Sequence, residues 1–263
     1  MPEALNQNVG AVRPDTLTRD TFRSAIDGQL ILAPLTKGGN LPFRRLCAYF
    51  GADVTMSEMA YARQLVKGAK MERARLYRAP SEKCFGVQIA CKQIAEGARA
   101  AELVSASGAQ WIDLNCGCPT IEVSRRGLGA VLLRKPRKLG TLVEGLASAS
   151  DLPLSVKVRL GVDAQKINVF EVAQTLEAAG AVAVTVHGRT MEQRYRKPAD
   201  WALIEQVAAA VSIPVVGNGD ILTHYEARRR LEQHGCTAVM AGRGALIKPW
   251  IFKEFVEGPA LSP

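Results

Sequence analysis

The chain has 263 residues, 48% hydrophobic and 22% charged, which fits one large globular domain with a well-buried core. No apolar run approaches the roughly 18 residues of a membrane span, and the polar stretch 1–18 has no signal-peptide core, so a cytosolic, cytoplasmic protein with reduced thiols is expected. Six cysteines form no CxxC pair and only three histidines are present, so no metal site is expected, while a net charge of +9 leaves room for an anionic partner, nucleic acid included.

Residues 1–29 read as a lead-in and a helix with Arg19, Arg23 and Asp27 on its polar side. From residue 30 a rhythm begins. Strand-like runs lie at 30–36, 54–59, 84–90, 111–117, 154–161, 183–189, 214–220 and 238–245. Helix-period stretches at 94–107, 140–150, 169–179, 201–211 and 224–234 separate the later ones. This alternation predicts an α/β fold, a (β/α)8 TIM barrel over 30–257, with an eighth helix starting near 249–255 and a short tail at 258–263. An open doubly wound sheet is the competing fold, but Leu35-Thr36-Lys37-Gly38-Gly39-Asn40 does not carry its dinucleotide fingerprint. No repeat or linker divides the chain.

Barrel active sites lie at the C-terminal ends of the strands, so the polar residues there carry the information. The run 111–117 alternates Ile112 and Leu114 with Asp113 and Asn115; Gly117 and Pro119 then stop it, leaving Cys118 on the turn. A free cysteine taken alone is more often an inert core filler than a reactive group, and the residues that follow along the chain turn that balance for Cys118. In the next strand Lys157 and Arg159 share the face opposite Leu154, Val156, Val158 and Leu160, and His187 follows the same parity one strand on. These cationic faces point into the barrel mouth. A buried cation needs a partner, for which Asp113 or Glu58 would serve; their convergence with a histidine and an asparagine favours a ligand site.

The last two strands end in Gly217-Asn218-Gly219-Asp220 and Gly242-Arg243-Gly244. Glycines let backbone N–H groups approach a phosphate, which argues for a phosphorylated cofactor, flavin mononucleotide (FMN) being the leading candidate. Arg125, Arg126, Arg194, Arg196 and Lys197 make the rim basic, as a polyanionic substrate held by phosphate contacts would require. Arg134, Lys135, Arg137 and Lys138 lie further along, before the fourth helix; Arg228, Arg229 and Arg230 read as solvated helix surface.

Taken together, Ala33-Pro34-Leu35-Thr36, Asn40-Leu41-Pro42-Phe43-Arg44, Gly86-Val87-Gln88, Asp113-Leu114-Asn115-Cys116-Gly117-Cys118-Pro119 and Val156-Lys157-Val158-Arg159 resemble the tRNA-dihydrouridine synthases. So do His187-Gly188-Arg189-Thr190, Gln193-Arg194-Tyr195, Gly217-Asn218-Gly219-Asp220 and Gly242-Arg243-Gly244-Ala245, and the match runs in order over about residues 30–256. Gly39-Asn40-Leu41-Pro42-Phe43-Arg44 and Lys197-Pro198-Ala199-Asp200-Trp201 are similar to the eukaryotic tRNA-dihydrouridine synthase 3 branch. The resemblance implies FMN-dependent reduction of the uridine C5=C6 bond in tRNA, with NADPH reducing the flavin. Hydride would pass from flavin N5 to C6, and Cys118 would protonate C5. An unperturbed thiol, with a pKa of about 8.5, is mostly protonated at neutral pH and can act as an acid. The family pattern places Pro34, Gln88, Lys157, His187, Asn218, Asp220, Gly242 and Arg243 around FMN, and Asn115, Arg159 and Tyr195 around the target base, which must be unstacked to reach them.

Family members usually continue into a helical domain that grips tRNA, and this chain stops before it. The expectation is a catalytic fragment, or a short member that relies on its basic rim, self-association or an RNA-binding partner. Two other readings stay open: an FMN barrel acting on a free pyrimidine or other small molecule, and an RNA-binding protein without turnover.

Overall fold

The computed structural model describes residues 17–259; the expected lead-in over 1–16 and the end of the tail, 260–263, lie outside the described residues. Nine parallel strands form one sheet: β1 (Leu30–Leu32), β2 (Val54–Met56), β3 (Ala60–Tyr61), β4 (Cys84–Ala90), β5 (Trp111–Cys116), β6 (Leu154–Arg159), β7 (Ala183–His187), β8 (Val215–Asn218) and β9 (Ala238–Ala241). Their order is β1-β9-β8-β7-β6-β5-β4-β2, with the two-residue β3 also on β4 and β1 lying beside β2, so the sheet curls into a nearly closed (β/α)8 barrel.

Several element ends differ from the expected ones for local reasons. The run 54–59 ends as a strand at Met56, where the Ser57 hydroxyl takes the Gln88 N–H, at 3.1 Å, in place of a backbone acceptor, and β3 begins only beyond the run, at Ala60. The first strand stops early because Pro34, just after Ala33 makes the last ladder bond to Ala241, has no N–H. The helix expected at 140–150 runs Pro136–Ser148, since a proline is well placed in a first turn. Arg137 and Lys138 therefore sit on that helix rather than before it.

Alternation along the strands divides the core. Outward residues such as Leu114, Val156, Val158, Val184 and Val186 pack on helix residues including Val143, Leu146, Val172, Leu176 and Ile204. Inward residues at the N-terminal end, among them Ile31, Val54, Met56, Trp111, Val216 and Met240, fill the barrel floor. The helix Arg19–Ile26 closes that floor with Phe22 and Ile26, its start fixed by a Thr18–Thr21 capping box. Phe22 meets Trp111 edge-on at 5.8 Å. With the floor plugged by apolar side chains, the polar inward residues are left at the other end. No helix among the described residues is long and apolar enough to cross a membrane.

Candidate active site

Strand register sets the inward polar residues in layers. Gln88 stands opposite Asp113 and Asp113 opposite Ser155; Asn115 faces Lys157; Arg159, His187 and Asn218 follow one another across β6, β7 and β8. Asp113 is fully buried and accepts from Gln88 Nε2 and Ser155 Oγ, both at 2.7 Å. The Gln88 carbonyl oxygen then accepts from Asn115 Nδ2 at 2.7 Å. That leaves Asn115 Oδ1 to accept the N–H groups of Gly117, at 3.3 Å, and Cys118, at 3.0 Å. An ionised carboxylate only accepts, so its position dictates the orientation of both amides and, through them, the turn that carries Cys118.

That turn is closed from the other side as well. The Cys118 carbonyl accepts from Ala130 N–H at 3.1 Å, and Gly129 (φ 70°) admits the approach, since a Cβ there would lie 2.6 Å from the Cys118 oxygen. Cys118 itself is half-buried, with Sγ 3.4 Å from Thr120 Oγ1. Cys116 faces away, fully buried among apolar groups, and burial pushes its thiol well above the ordinary value, in keeping with a packing role.

Lys157 donates to Asn218 Oδ1 at 2.8 Å, and Asn218 is oriented by its own bond to the Met240 carbonyl, also 2.8 Å. Burial, reinforced by Arg159, lowers the Lys157 ammonium to about 7, against the pull of Asp113. Burial also raises the Asp113 carboxyl to about 6, despite the bonds from Ser155 and Gln88 and the charge of Lys157. Of the two expected anionic partners for the barrel cations, Asp113 lies within reach of Lys157's field, whereas Glu58 pairs with Arg75 at 3.3 Å.

Arg159 is 2% exposed and committed to backbone: Nε to the Gly117 carbonyl at 2.8 Å, Nη1 to those of Thr190 and Arg194 at 3.0 and 3.3 Å. Burial lowers it to about 10, which leaves it charged at neutral pH. It ties the Cys118 turn to the loop after β7. From that loop the exposed Tyr195 ring projects near Arg243, whose guanidinium carbon is 4.5 Å from the ring centroid. Asp220, at φ 52°, receives Arg189, Arg243 and the Ala199 N–H. Burial would raise its carboxyl, but these bonds and the two arginine charges outweigh it and hold it below the ordinary range.

All of this surrounds one cavity of about 380 Å³ at the C-terminal strand ends. Pro34, Gln88, Asn115, Cys118, Lys157, Arg159, His187, Tyr195, Asn218, Asp220, Gly242 and Arg243 line it. Arg125 and Arg126 do not. They lie exposed at the end of the helix Ile121–Arg125, with Arg126 bonded to Glu122 and stacked over Tyr61. A hollow of about 440 Å³ at the N-terminal end holds Glu102, Ser105, Gln110 and Asp151 and none of these groups.

The residues fit a flavin phosphate. Ala33, Pro34, Leu35 and Met240 give an apolar wall, while Lys157 has donors to spare beyond Asn218. A Cβ at Gly242 would press on Leu35 at 3.3 Å, and one at Gly244 would strike the Ile221 carbonyl at 2.3 Å, so these glycines let the two loops close on the cavity. Two organisers were not singled out from sequence. From sequence Asp113 reads only as a charge partner, and Arg189 shares the inward parity of Thr185 and His187, but neither position shows the bonds it makes.

The dihydrouridine synthase (Dus) family model matches residues 31–260. The tRNA-dihydrouridine(47) synthase, NAD(P)(+), of Coprinopsis cinerea is 39% identical over 277 residues, which is 97% of this chain and 41% of that protein. The Homo sapiens tRNA-dihydrouridine(47) synthase-like protein is 44% identical over 243 residues, 89% of this chain and 36% of its own length. A probable tRNA-dihydrouridine synthase of Rhodobacter capsulatus is 42% identical over 239 residues, 89% of this chain and 72% of its own. The chain thus spans about two fifths of the length of the first two relatives. Among solved structures, a 2-naphthoyl-CoA reductase complex superposes with TM-score 0.68 at 14% identity, over 89% of this chain and 50% of that one. A histamine dehydrogenase from Rhizobium sp. 4-9 gives 0.67 at 14%, over 88% and 46%. At such identity the likeness is one of fold.

Proposed function

The chain belongs to the dihydrouridine synthase family, and from that premise we propose that it reduces the C5=C6 bond of a uridine in tRNA, with FMN as cofactor and NADPH as reductant. The observation that carries this reading is the single cavity in which Cys118 meets Lys157, His187, Gln88 and the Gly242-Arg243 turn. When bound, FMN supplies the hydride that goes to C6 of the base.

The chain's own residues do the rest. Gln88, Lys157, His187, Asn218, Gly242 and Arg243 hold the cofactor, with Pro34 against it. Lys157, whose ammonium is poised near neutrality, gives positive charge to an electron-rich neighbour. Asp220 acts through the two arginines it grips rather than by meeting a phosphate itself. Cys118 holds the proton for C5; Asn115 pins its backbone and the Thr120 hydroxyl faces its sulfur. Asn115 and Arg159 therefore position the acid as much as they meet the base. The exposed Tyr195 ring offers a stacking surface to a base drawn out of the tRNA fold. The exposed Arg125, Arg126, Arg194, Arg196 and Lys197 are placed to contact phosphates.

The test is dihydrouridine by nucleoside mass spectrometry after incubation with unmodified tRNA, FMN and NADPH, beside Cys118→Ala. The relatives are named for position 47, so that uridine is the first to examine. Product from the wild type and a loss of at least about a hundredfold in the variant are expected, the usual contribution of a positioned acid. Absence of product from a protein that binds FMN would overturn the self-sufficient reading and direct the search to an RNA-binding partner or a free pyrimidine.

A further inference from the structure

One buried guanidinium behind the cavity lining, bonded to two of the lining residues, joins three parts of the site. Arg189 is 2% exposed. Its Nη2 donates to both Asp220 oxygens at 2.6 Å, its Nε to the Lys197 carbonyl, and its Nη1 lies 3.2 Å from His187 Nε2. A guanidinium offers donors only and stays charged, so the ring nitrogen facing it has to be the unprotonated, accepting one. The proton of a neutral imidazole then sits on Nδ1. That nitrogen has no hydrogen-bond partner among the described residues, and the ring lines the cavity.

Burial first, and then the surrounding cations, oppose a second proton and hold the ring well below the ordinary histidine range. Lys157 and Arg159 face the ring from β6, Arg189 from just past the end of β7, and Arg243 from beyond β9. Tyr195 is 6.0 Å away, centroid to centroid. The nearby carboxylate, Asp220, is already held by Arg189 and Arg243.

We propose that Arg189 is a positioning residue that fixes His187 as the neutral Nδ1–H tautomer, so that this wall presents a hydrogen-bond donor to a carbonyl oxygen or bare ring nitrogen of the ligand. The same guanidinium grips the Lys197 carbonyl, so the donor is set only when the loop after β7 is in place. The ligand's identity rests on the function proposed above; the tautomer does not.

The experiment is a long-range proton–nitrogen correlation spectrum of ligand-free protein labelled with nitrogen-15 histidine. Three histidines are present, and His187→Gln assigns the signal. The wild type is expected to show a protonated Nδ1 and a bare Nε2 that do not titrate between about pH 5 and 8, where a free histidine would. In Arg189→Met the ring should become a mixture of tautomers and begin to titrate, while Arg189→Lys, which keeps one donor, should restore the wild-type pattern. FMN affinity, followed by quenching of flavin fluorescence, should fall about tenfold in Arg189→Met and recover in Arg189→Lys. A wild-type His187 protonated on Nε2, or an Arg189→Met spectrum identical to wild type, overturns the proposal. If Arg189→Met fails to fold, the wild-type spectrum still decides. A correct tautomer in a protein that makes no dihydrouridine would sink the function and leave this inference standing.

Discussion

Replacing Asp113 by Asn removes a charge and almost nothing else. The new side chain can accept from Gln88 and donate to the Ser155 hydroxyl, which is able to accept, so the amide chain leading to Cys118 survives. What changes is the cost of an ionised group with no exposure to water. Burial lifts the Asp113 carboxyl from the ordinary 3.8 to about 6, against the Ser155 and Gln88 bonds and the Lys157 charge. A carboxyl whose folded pKa lies above its unfolded one contributes stability that is fully present below about 3.8 and is lost as the pH rises to about 6. At 1.36 kcal/mol per pH unit, that rise is worth about 3 kcal/mol.

The assay is urea unfolding of wild type and Asp113→Asn at a series of pH values from about 4 to about 7, read as the difference between them so that other titrating groups cancel. The variant should gain about 3 kcal/mol on the wild type across that window and then hold the gain. A flat difference curve would refute the claim that burial dominates at Asp113. A change of opposite sign would mean that Lys157 stabilises the carboxylate as a true ion pair. With its negative neighbour gone, Lys157 should also titrate below about 7 in the variant.

Two further substitutions test the frame that holds the site. Gly86→Ala would place a Cβ 2.2 to 2.6 Å from Trp111, whose ring is already backed by Phe22, so a loss of about 3 kcal/mol in urea unfolding is expected, at the upper end of overpacking costs. Arg44→Met strips Glu82, fully buried and bonded to Arg44 at 2.8 Å, of its counter-charge and should cost about 3–5 kcal/mol. Much of that loss should return when Glu82→Gln is added, a recovery that a double-mutant cycle measures directly.

The parity of side chains along a strand was enough to foresee that Lys157, Arg159 and His187 face one cavity, because period two is a local property and each strand was long enough to show it. The glycine-rich ends of β8 and β9 were legible for the same reason. What parity could not show is how a side chain spends its hydrogen bonds. Arg159, read as a base-binding residue, gives Nε and Nη1 to three carbonyls, two of them on a loop more than thirty residues away. Asp113 organises Gln88 and Asn115 only because three strands come into register, which no single segment encodes. Arg125 and Arg126 show the limit of proximity in sequence: they follow Cys118 closely in the chain, but the short helix Ile121–Arg125 carries them out of the cavity lining to an exposed position on its outside.

The charges around the cavity form an argument that no single contact makes. Lys157, Arg159, Arg189 and Arg243 bring four cations, and Asp113 and Asp220 bring two carboxylates, while His187 is held neutral. Buried cations are tolerable only when something satisfies them. Arg189 Nη2 is shared between both Asp220 oxygens, Arg243 reaches the same carboxylate, and Arg159 is spread over three carbonyls. Lys157 has a single amide oxygen, from Asn218, and burial drives its ammonium down to about 7. The unmet donor capacity thus gathers where the bonding is least complete, at Lys157 beside Asn218. A ligand with an electron-rich edge would complete Lys157 there and, by supplying negative charge, raise its ammonium back towards the ordinary range. A neutral, wholly apolar ligand would leave the ammonium stranded. The arrangement therefore favours an anionic, ring-bearing ligand over either a plain hydrocarbon or a bare inorganic anion, since the wall opposite is the apolar face of Ala33, Pro34 and Leu35.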